Sequence, residues 1–119
     1  MKLDDLEVYT RSMDLGETVW DLVHGWRSFA RFIMGRQLVR ACDSIAANLS
    51  EGYGRYHFRE RRQFCYYARG SLYETKTWLT KAHRRRLIND EMFQKLSDDL
   101  NTLAIKLNKY IKSIAPRQS

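Results

Sequence analysis

Apolar residues recur along most of this chain at alternating intervals of three and four positions, which is the period of an amphipathic helix. The alternation is clearest near the carboxyl terminus, where it runs unbroken from Phe93 to Ile114. Three earlier segments show the same period, and nothing in the chain resembles a strand. The spacing predicts four helices, over residues of about 4–24, 32–52, 59–85 and 90–114.

The residues that carry this period form the predicted core. They are Leu6, Tyr9, Met13, Gly16, Trp20 and Val23 in the first helix, Leu38, Cys42, Ile45 and Leu49 in the second, Phe64, Ala68, Ser71, Thr75, Trp78 and Ala82 in the third, and Phe93, Leu96, Leu100, Leu103, Leu107, Tyr110 and Ile114 in the fourth. Short connections favour antiparallel packing of consecutive helices. We therefore expect residues 1–119 to form one all-α domain, an antiparallel up-down-up-down four-helix bundle.

Residues at the segment boundaries suggest how the helices begin and end. Asn89 is a candidate N-cap for the fourth helix, because its side chain can accept a hydrogen bond from a free backbone amide. Gly52 and Gly54 follow the second helix, where glycine permits a left-handed C-terminal cap. Pro116 lies beyond the last helix.

A polar stripe accompanies the apolar one on the second helix. Polar groups at the margin of a core need hydrogen-bond partners. Gly70 and Ser71 are small residues within the third helix, and close approach of another helix would compensate the roughly 1 kcal/mol that a mid-helix glycine costs. We expect helices two and three to touch there, unless the polar side chains are merely solvated. The predicted structural network comprises Gln37, Ser44, Asn48, Glu51, Arg69, Ser71 and Glu74.

Length and composition limit the classes of protein to which this chain can belong. The 119 residues are enough for one modest core, and the composition of 44% hydrophobic and 29% charged residues is ordinary for a globular protein. No apolar run is long enough to cross a membrane, and the first residues lack the features of a signal peptide. We therefore expect a cytoplasmic protein. Cys42 and Cys65 follow no metal-ligand spacing and are expected to be reduced core thiols.

The charge of the chain favours a polyanionic partner. Its formal net charge is +7 and its sequence pI is about 9.6. Basic proteins attract nucleic acid or acidic membrane surfaces. Membrane binding fits poorly, because we expect no segment to join a basic face to exposed Trp, Phe and Leu side chains.

Arginines and tyrosines interleave along the third helix at a 3-4 period, roughly opposite its apolar stripe. This stripe could grip phosphates while its rings stack on bases, could form a subunit interface, or could be a solvated face. Arginines also crowd both ends of the helix, although those at its end could simply complement the helix dipole. The candidate nucleic-acid-binding residues are Arg55, Arg59, Arg61, Arg62, Tyr66, Tyr73, Lys76, Arg84, Arg85 and Arg86, with Arg69 as a further member of the stripe.

Three strings in the chain resemble a known family. They are QLVRACDSIAANLSEGYGR at residues 37–55, ARGSLYE at residues 68–74 and LEVY at residues 6–9. Together they resemble the small four-helix bundle proteins encoded within intervening sequences of bacterial 23S ribosomal RNA genes. The chain departs from the family pattern at Thr75 and Trp78, where Leu and Gln are usual, and its first connection lacks the usual proline.

The resemblance implies an assembly state and a context. Members of the family form ring-like homopentamers, so the resemblance implies a homo-oligomer of five subunits. A branch of the same fold is the accessory variability protein of diversity-generating retroelements, which partners a reverse transcriptase and nucleic acid. These are implications of the resemblance, and the spacing of the residues does not assign the chain to either branch.

The sequence lacks the patterns of common catalytic and cofactor sites. The three histidines lie in different segments, with no His-Glu pattern for a metal, and no glycine-rich phosphate loop follows a strand. We therefore expect no enzyme activity, no metal and no cofactor.

The function that the sequence predicts is binding. We expect a non-enzymatic oligomeric bundle that binds nucleic acid, in particular RNA. Phosphate contacts are expected first from Arg59, Arg61 and Arg62, and next from residues 84–86. The alternative is an accessory protein that docks a reverse transcriptase together with its nucleic acid.

Overall fold

The computed structural model describes residues 1–115, and this part of the chain contains helices and no strand. A short 3-10 turn precedes the first helix. The second helix covers residues 28–53 in three consecutive segments without a break. The elements are Leu3–Asp5 (the 3-10 turn), Glu7–His24 (α1), Ser28–Ala30, Arg31–Gly35 and Arg36–Tyr53 (together α2), Phe58–Arg84 (α3) and Asp90–Ser113 (α4).

The four helices pack side by side as an elongated bundle of 55 × 23 × 21 Å. The turns that join them cover residues 25–27, 54–57 and 85–89, so each helix runs antiparallel to the one before it. The predicted all-helical four-helix bundle is therefore confirmed. None of the helices in residues 1–115 is long and apolar enough to cross a membrane.

The core is best predicted on α2 and α4. Leu38, Cys42, Ile45 and Leu49 of α2 are each 0% exposed. The leucines predicted on α4 are also buried. Phe93 and Tyr110, which were also predicted on α4, are half-buried at the margin of the core. The fully buried residues of both stripes are apolar, so their burial is favourable without further partners.

The apolar face predicted for α1 is partly wrong. Met13 and Trp20 are 44% and 56% exposed, and the side chains that enter the core are those of a neighbouring stripe that includes Val8 and Val19. Ser12 lies in that buried stripe and donates a 2.6 Å hydrogen bond to the Val8 carbonyl oxygen. Because a serine interrupts it, the true stripe is less visible in the sequence than the exposed one.

Half of the buried positions on α3 lie one residue later in the chain than predicted. Phe64, Ser71 and Trp78, which were predicted in the core, are only half-buried at its margin. The helix instead buries a stripe that keeps the 3-4 period. Its members are Cys65, Ala68, Leu72, Thr75, Leu79 and Ala82.

The start of α2 differs from its prediction. The helix begins at Ser28 rather than near Phe32, and its second segment, Arg31–Gly35, is a π-helix. A π-turn holds more residues than an α-turn, so buried residues recur there at intervals of four instead of three and four. The buried side chains that show this interval are Ala30, Met34 and Leu38, and Gly35 is buried next to Met34.

Helices α2 and α3 are in close contact at Gly52. A Cβ atom on Gly52 would lie 2.9 Å from the Phe64 Cβ atom and 3.1 Å from the Arg61 carbonyl oxygen. Gly70, where we expected the close approach, is exposed and would have nothing within 4 Å of a Cβ atom. The prediction that the two helices touch is right, whereas the role given to Gly70 is wrong.

The residue that adopts left-handed backbone geometry at a helix end is an arginine, Arg86, and not a glycine. Gly54 caps α2 with φ of −78°, so the left-handed cap predicted there is wrong. Arg86, after α3, has φ of 62° and is the residue with a positive φ in residues 1–115. The Leu87 amide donates to the Ala82 carbonyl and the Arg86 amide to the His83 carbonyl, which are the two hydrogen bonds of a Schellman motif.

The start of α4 agrees with the sequence. The Asn89 side chain accepts a 2.8 Å hydrogen bond from the Met92 backbone amide, so Asn89 is the N-cap as predicted. Pro116, which was expected beyond the helix, lies outside the described residues.

The two glycines at the end of α2 give a matched test of this packing. Gly52→Ala should lower the free energy of unfolding by about 1–3 kcal/mol, because the new methyl group overpacks the α2–α3 contact. Gly54→Ala should be neutral or slightly stabilising, since Gly54 has a negative φ and its Cβ position meets backbone atoms only at 3.7 Å. Urea denaturation followed by circular dichroism measures both. Equal effects of the two substitutions would contradict the assigned close approach.

Candidate nucleic-acid interface

The basic-aromatic stripe of α3 lies beside α4 instead of directly opposite the apolar stripe of its own helix. Arg69 donates a 3.1 Å hydrogen bond to Asn108 Oδ1, and Lys76 donates a 2.7 Å hydrogen bond to Asn101 Oδ1. Both cations are half-buried. They therefore tie α3 to α4, and less of each side chain is free for a ligand than the sequence suggested.

The tyrosines of this stripe are partly covered by the same cations. The Arg69 guanidinium lies 5.0 Å from the centre of the Tyr66 ring, and the Lys76 ammonium lies 5.2 Å from that of Tyr73. Arg62 also donates a 3.2 Å hydrogen bond to the Tyr66 hydroxyl. Tyr66 and Tyr73 keep 37% and 53% exposure, so one face of each ring remains open to solvent.

The cluster at the start of α3 is largely engaged within the molecule. Arg55 forms ion pairs with Glu51 and Glu60, and its guanidinium lies 4.9 Å from the Phe64 ring centre. These pairs neutralise much of the charge that Arg55 would offer to a phosphate.

Two further arginines of this cluster are turned partly inward. Arg61 and Arg62 are half-buried, and their Nε atoms are buried without a hydrogen-bond partner in residues 1–115. Burial raises the pKa of the Tyr110 hydroxyl, and a hydrogen bond with Arg61 opposes that rise. Arg59 is exposed. Of the three residues predicted to contact phosphate first, Arg59 is therefore the one fully available.

The cluster at the end of α3 is more open. Arg84, Arg85 and Arg86 are all exposed. Arg85 Nη1 lies 2.6 Å from Met34 Sδ, so this cluster packs against the start of α2. The left-handed backbone at Arg86 turns the chain sharply, so the three side chains do not share one helical face.

The start of α2 adds three more exposed arginines, Arg27, Arg31 and Arg36, to the same end of the bundle. We call the six together the basic end. A cavity of about 590 Å³ lies between the two segments and is lined by Arg27, Phe29, Ala30, Ile33, Met34, Arg85 and Leu87. Because α3 has 27 residues, the basic end lies about 40 Å from the cluster around Arg59.

The arginines of the basic end have no carboxylate partners within residues 1–115. The ion pairs of that part of the chain involve none of the six. The nearby Asp90 carboxylate instead lies 2.7 Å from His83 Nε2. The positive charge of the basic end is therefore not neutralised by carboxylates of the described residues.

Exposed aromatic side chains accompany this charge. Phe29 and Phe32 are 77% and 63% exposed, and the Arg36 guanidinium lies 5.1 Å from the Phe32 ring centre. The expectation that no segment joins cations to exposed aromatic residues is therefore wrong, since residues 27–36 do so. Sequence reasoning missed these residues because the predicted helix began after most of them.

Comparison with known proteins agrees with this fold and with the sequence motifs. The sequence profile of the 23S rRNA-intervening sequence proteins matches residues 4–109. The chain belongs to this family.

A solved structure has the same architecture. It is the crystal structure of a protein of unknown function from the S23 ribosomal protein family of Bacteroides thetaiotaomicron VPI-5482. The two structures align with a TM-score of 0.85 over 93% of this chain and 100% of the other, at 22% sequence identity. At that identity the likeness establishes the fold alone. The comparison with curated proteins gives no match.

In this 23S rRNA-intervening sequence protein, one hydrogen bond of the predicted polar network crosses between helices. The Ser44 and Ser71 hydroxyls are hydrogen-bonded to each other across α2 and α3. Ser44 Oγ also lies 3.1 Å from the Ala41 carbonyl oxygen, and the Ser71 carbonyl oxygen accepts from Thr75 Oγ1 at 2.7 Å. The serine pair therefore links the backbones of the two helices at the margin of the core.

The other members of the predicted network have different partners or faces. Asn48 Nδ2 donates to the Ser44 carbonyl within α2, and Glu74 accepts from Trp78 within α3. Glu51 pairs with Arg55, so neither carboxylate meets Arg69. Gln37 is half-buried, and its side chain forms no hydrogen bond within residues 1–115. Except at the serine pair, the predicted network between helices is not formed.

Both cysteines of this family member are free and buried, as the sequence predicted. Burial raises the pKa of the Cys42 thiol to about 12 and that of Cys65 to about 11, from an ordinary value near 9.0. No group of three or more His, Cys, Asp or Glu side chains in residues 1–115 is arranged to hold a metal ion. Because of these raised pKa values, both thiols are protonated at neutral pH.

The raised thiol pKa values predict slow chemical modification. At pH 8 the native protein should react with a disulfide reagent far more slowly than the urea-unfolded chain, since the thiolate fraction of Cys42 falls about a thousandfold on folding. Because unfolded thiols ionise first, the free energy of unfolding should also decrease as the pH rises above 9. Release of thionitrobenzoate measures the reaction. Fast reaction of either thiol in the native protein would contradict the assignment.

Proposed function

We propose that this protein is a non-enzymatic, homo-oligomeric four-helix bundle that binds nucleic acid, specifically RNA, through its basic end. The observation that carries the proposal is that six exposed arginines from two distant segments lie at one end of the bundle without carboxylate partners in residues 1–115, with Arg27 and Arg85 lining the same cavity. Like charges gathered at one end of a molecule repel one another, and a polyanion relieves the repulsion while releasing its own counterions.

The residue type fits phosphate recognition. A guanidinium group is planar, always charged, and donates two parallel hydrogen bonds to phosphate oxygens. Exposed Phe29 and Phe32 stand among these groups and offer surfaces on which bases can stack. The family takes its name from intervening sequences of 23S rRNA, so structured RNA is the first ligand to test.

In this proposal the arginines that contribute most to phosphate binding differ from those that the sequence placed first. Arg61 and Arg62 are half-buried, so Arg59 contributes alone at its end of the bundle. Arg84, Arg85 and Arg86 become the principal contacts, together with the arginines of the α2 start. Lys76 and the two tyrosines of the α3 stripe are assigned to assembly instead.

The tyrosine-bearing face of α3 supports the homo-oligomeric part of the proposal. Tyr66, Tyr67 and Tyr73 are 37%, 50% and 53% exposed, and Gly70 lies among them on the same face. Tyrosine is favoured at interface centres. A glycine in open space weakens its helix by about 1 kcal/mol, and close approach of a second subunit would compensate that cost. A ring of five subunits, as the family resemblance implies, is the proposed assembly.

A second candidate function is the docking of a protein such as a reverse transcriptase. The observation that favours it is the apolar surface of the basic end, where Phe29 and Ile33 are 77% and 47% exposed beside Arg27 and Arg85. An acidic protein surface with an apolar centre would fit this face. Such docking would depend less steeply on salt than binding to RNA.

Gly70→Ala tests the assembly face. If Gly70 lies at a subunit contact, the added methyl group should reduce the oligomer mass measured by analytical ultracentrifugation. The isolated monomer should be equally or more stable, because alanine favours helix by about 1 kcal/mol. Gly54→Ala is the control and should leave the oligomer mass unchanged. An unchanged mass for Gly70→Ala would remove this face from the proposal.

The salt dependence of binding tests the basic end. Fluorescence anisotropy with a labelled structured RNA should give a steep negative slope of log affinity against log salt. Arg84→Gln with Arg86→Gly should make that slope shallower by about 1–2, because each phosphate that is no longer neutralised reduces it by about 0.7–0.9. Arg86→Gly also suits the left-handed backbone there.

The matched control removes two charges at the opposite end of the bundle. Lys109→Gln with Lys112→Gln changes two exposed residues near the end of α4 and should leave the slope nearly unchanged. Absence of RNA binding by the wild-type protein would refute the proposed function. Equal slopes for the two double variants would refute the assignment to the basic end.

A further inference from the structure

A concave groove lies between α1 and α2, and two arginines of the basic end, Arg31 and Arg36, line it. Its volume is about 320 Å³, near the lower limit of about 300–1,000 Å³ for small-molecule sites. Apolar lining is supplied by Trp20, Val23, Gly35 and Val39. Trp20 is the most exposed of these, since 56% of the residue is accessible to solvent.

Cations surround this apolar lining. Arg31, Arg36 and Arg40 line the groove with His24, and the lining contains no carboxylate. The Arg31 Nη1 atom donates a 3.3 Å hydrogen bond to the His24 carbonyl oxygen, which holds one guanidinium at the rim. None of the three arginines forms an ion pair within residues 1–115.

The π-helical turn of α2 shapes this groove. Gly35 ends the turn, and a Cβ atom there would lie 2.5 Å from Val23 Cγ1, so α1 and α2 are in close contact beneath the groove. Arg31 begins the turn and Arg36 follows it, and both line the groove although they are five positions apart.

Further along the α1–α2 surface the charge reverses. Glu17 and Asp43 line a neighbouring hollow of similar size. Burial raises the pKa of Asp43, and the Glu17 carboxylate raises it further. An anion is therefore attracted to the groove beside Trp20 and repelled from the hollow next to it, which limits the site to a short ligand segment.

We propose that this groove binds one unpaired nucleotide of the RNA, with its base stacked on Trp20 and its phosphates held by Arg31, Arg36 and Arg40. The inference rests on the proposed RNA binding and specifies its ligand as RNA with a loop or single-stranded segment. Charge complementarity and the size of the groove support a nucleotide, because an apolar floor ringed by cations matches a planar base attached to phosphates.

A base within a duplex cannot reach this site. In an A-form helix the bases are stacked and paired, and the deep major groove is closed to side chains. Unpaired bases in loops can leave the stack and lie against an aromatic side chain. The site therefore selects looped RNA over duplex RNA, whereas the basic end attracts both through their phosphates.

The test compares two labelled RNAs with equal numbers of phosphates, a hairpin with a six-nucleotide loop and a blunt duplex. The wild-type protein should bind the hairpin about tenfold more tightly in an anisotropy titration. Trp20→Ala should weaken hairpin binding about 5- to 10-fold, towards the duplex affinity, which is the lower part of the range for removal of one stacking aromatic. Its duplex affinity and its salt slope should stay unchanged, since every cation that neutralises a phosphate is retained.

Two matched variants make the result specific to stacking. Trp20→Phe keeps an aromatic ring and should retain most of the hairpin affinity. Tyr56→Ala removes an aromatic side chain that is 92% exposed near the opposite end of the bundle, and should have no effect. Circular dichroism verifies that each variant is folded, which is expected because Trp20 is largely outside the core.

Each contrary outcome has a distinct meaning. Equal wild-type affinity for hairpin and duplex, or full hairpin affinity in Trp20→Ala, overturns the inference and leaves the proposed function standing. A smaller oligomer for Trp20→Ala in analytical ultracentrifugation also overturns it, because the groove would then be a subunit contact. No binding to either RNA refutes the inference and the proposed function together.

Discussion

At Gly52 the backbones of α2 and α3 come so close that one added methyl group would lie 2.9 Å from a carbon of Phe64. The other features of the bundle depend on this contact. It brings the fully buried stripe of α2 against the Leu72 stripe of α3 and allows the Ser44–Ser71 hydrogen bond to form. Because both helices are long and rigid, it also fixes which residues meet about 30 Å away, where Arg85 covers Met34.

The sequence predicts this fold well where a buried stripe is purely apolar. On α2 and α4 the buried side chains are apolar and gain by leaving water, so period and burial agree. On α1 they disagree, because Ser12 occupies a buried position and Trp20 an exposed one. The serine is tolerated because its hydroxyl bonds to its own helix backbone. Such local satisfaction is not visible in a pattern of apolar residues.

The candidate site is less predictable because the availability of a cation depends on its neighbours in space. The run at residues 84–86 is visible in the sequence, and its exposure follows from its position at a helix end. Arg69 and Lys76 fit the same chemical pattern, yet Asn108 and Asn101 of α4 engage them. The arginines near the start of α2 escape notice because they are scattered, and only tertiary packing brings them beside residues 84–86.

The number of residues in the π-helical turn at residues 31–35 determines which side chains α2 exposes before that turn. Because a π-turn contains one residue more than an α-turn, it displays three consecutive residues, Arg31, Phe32 and Ile33, on the outside of the helix. Loss of one residue from this turn would restore α-helical winding and rotate the preceding segment by about 100° about the helix axis. Phe29 would then change its side of the helix relative to the core. A related protein that lacks one residue in this turn would thus turn the aromatic side chain at position 29 from the surface towards the core, although no neighbouring residue is substituted.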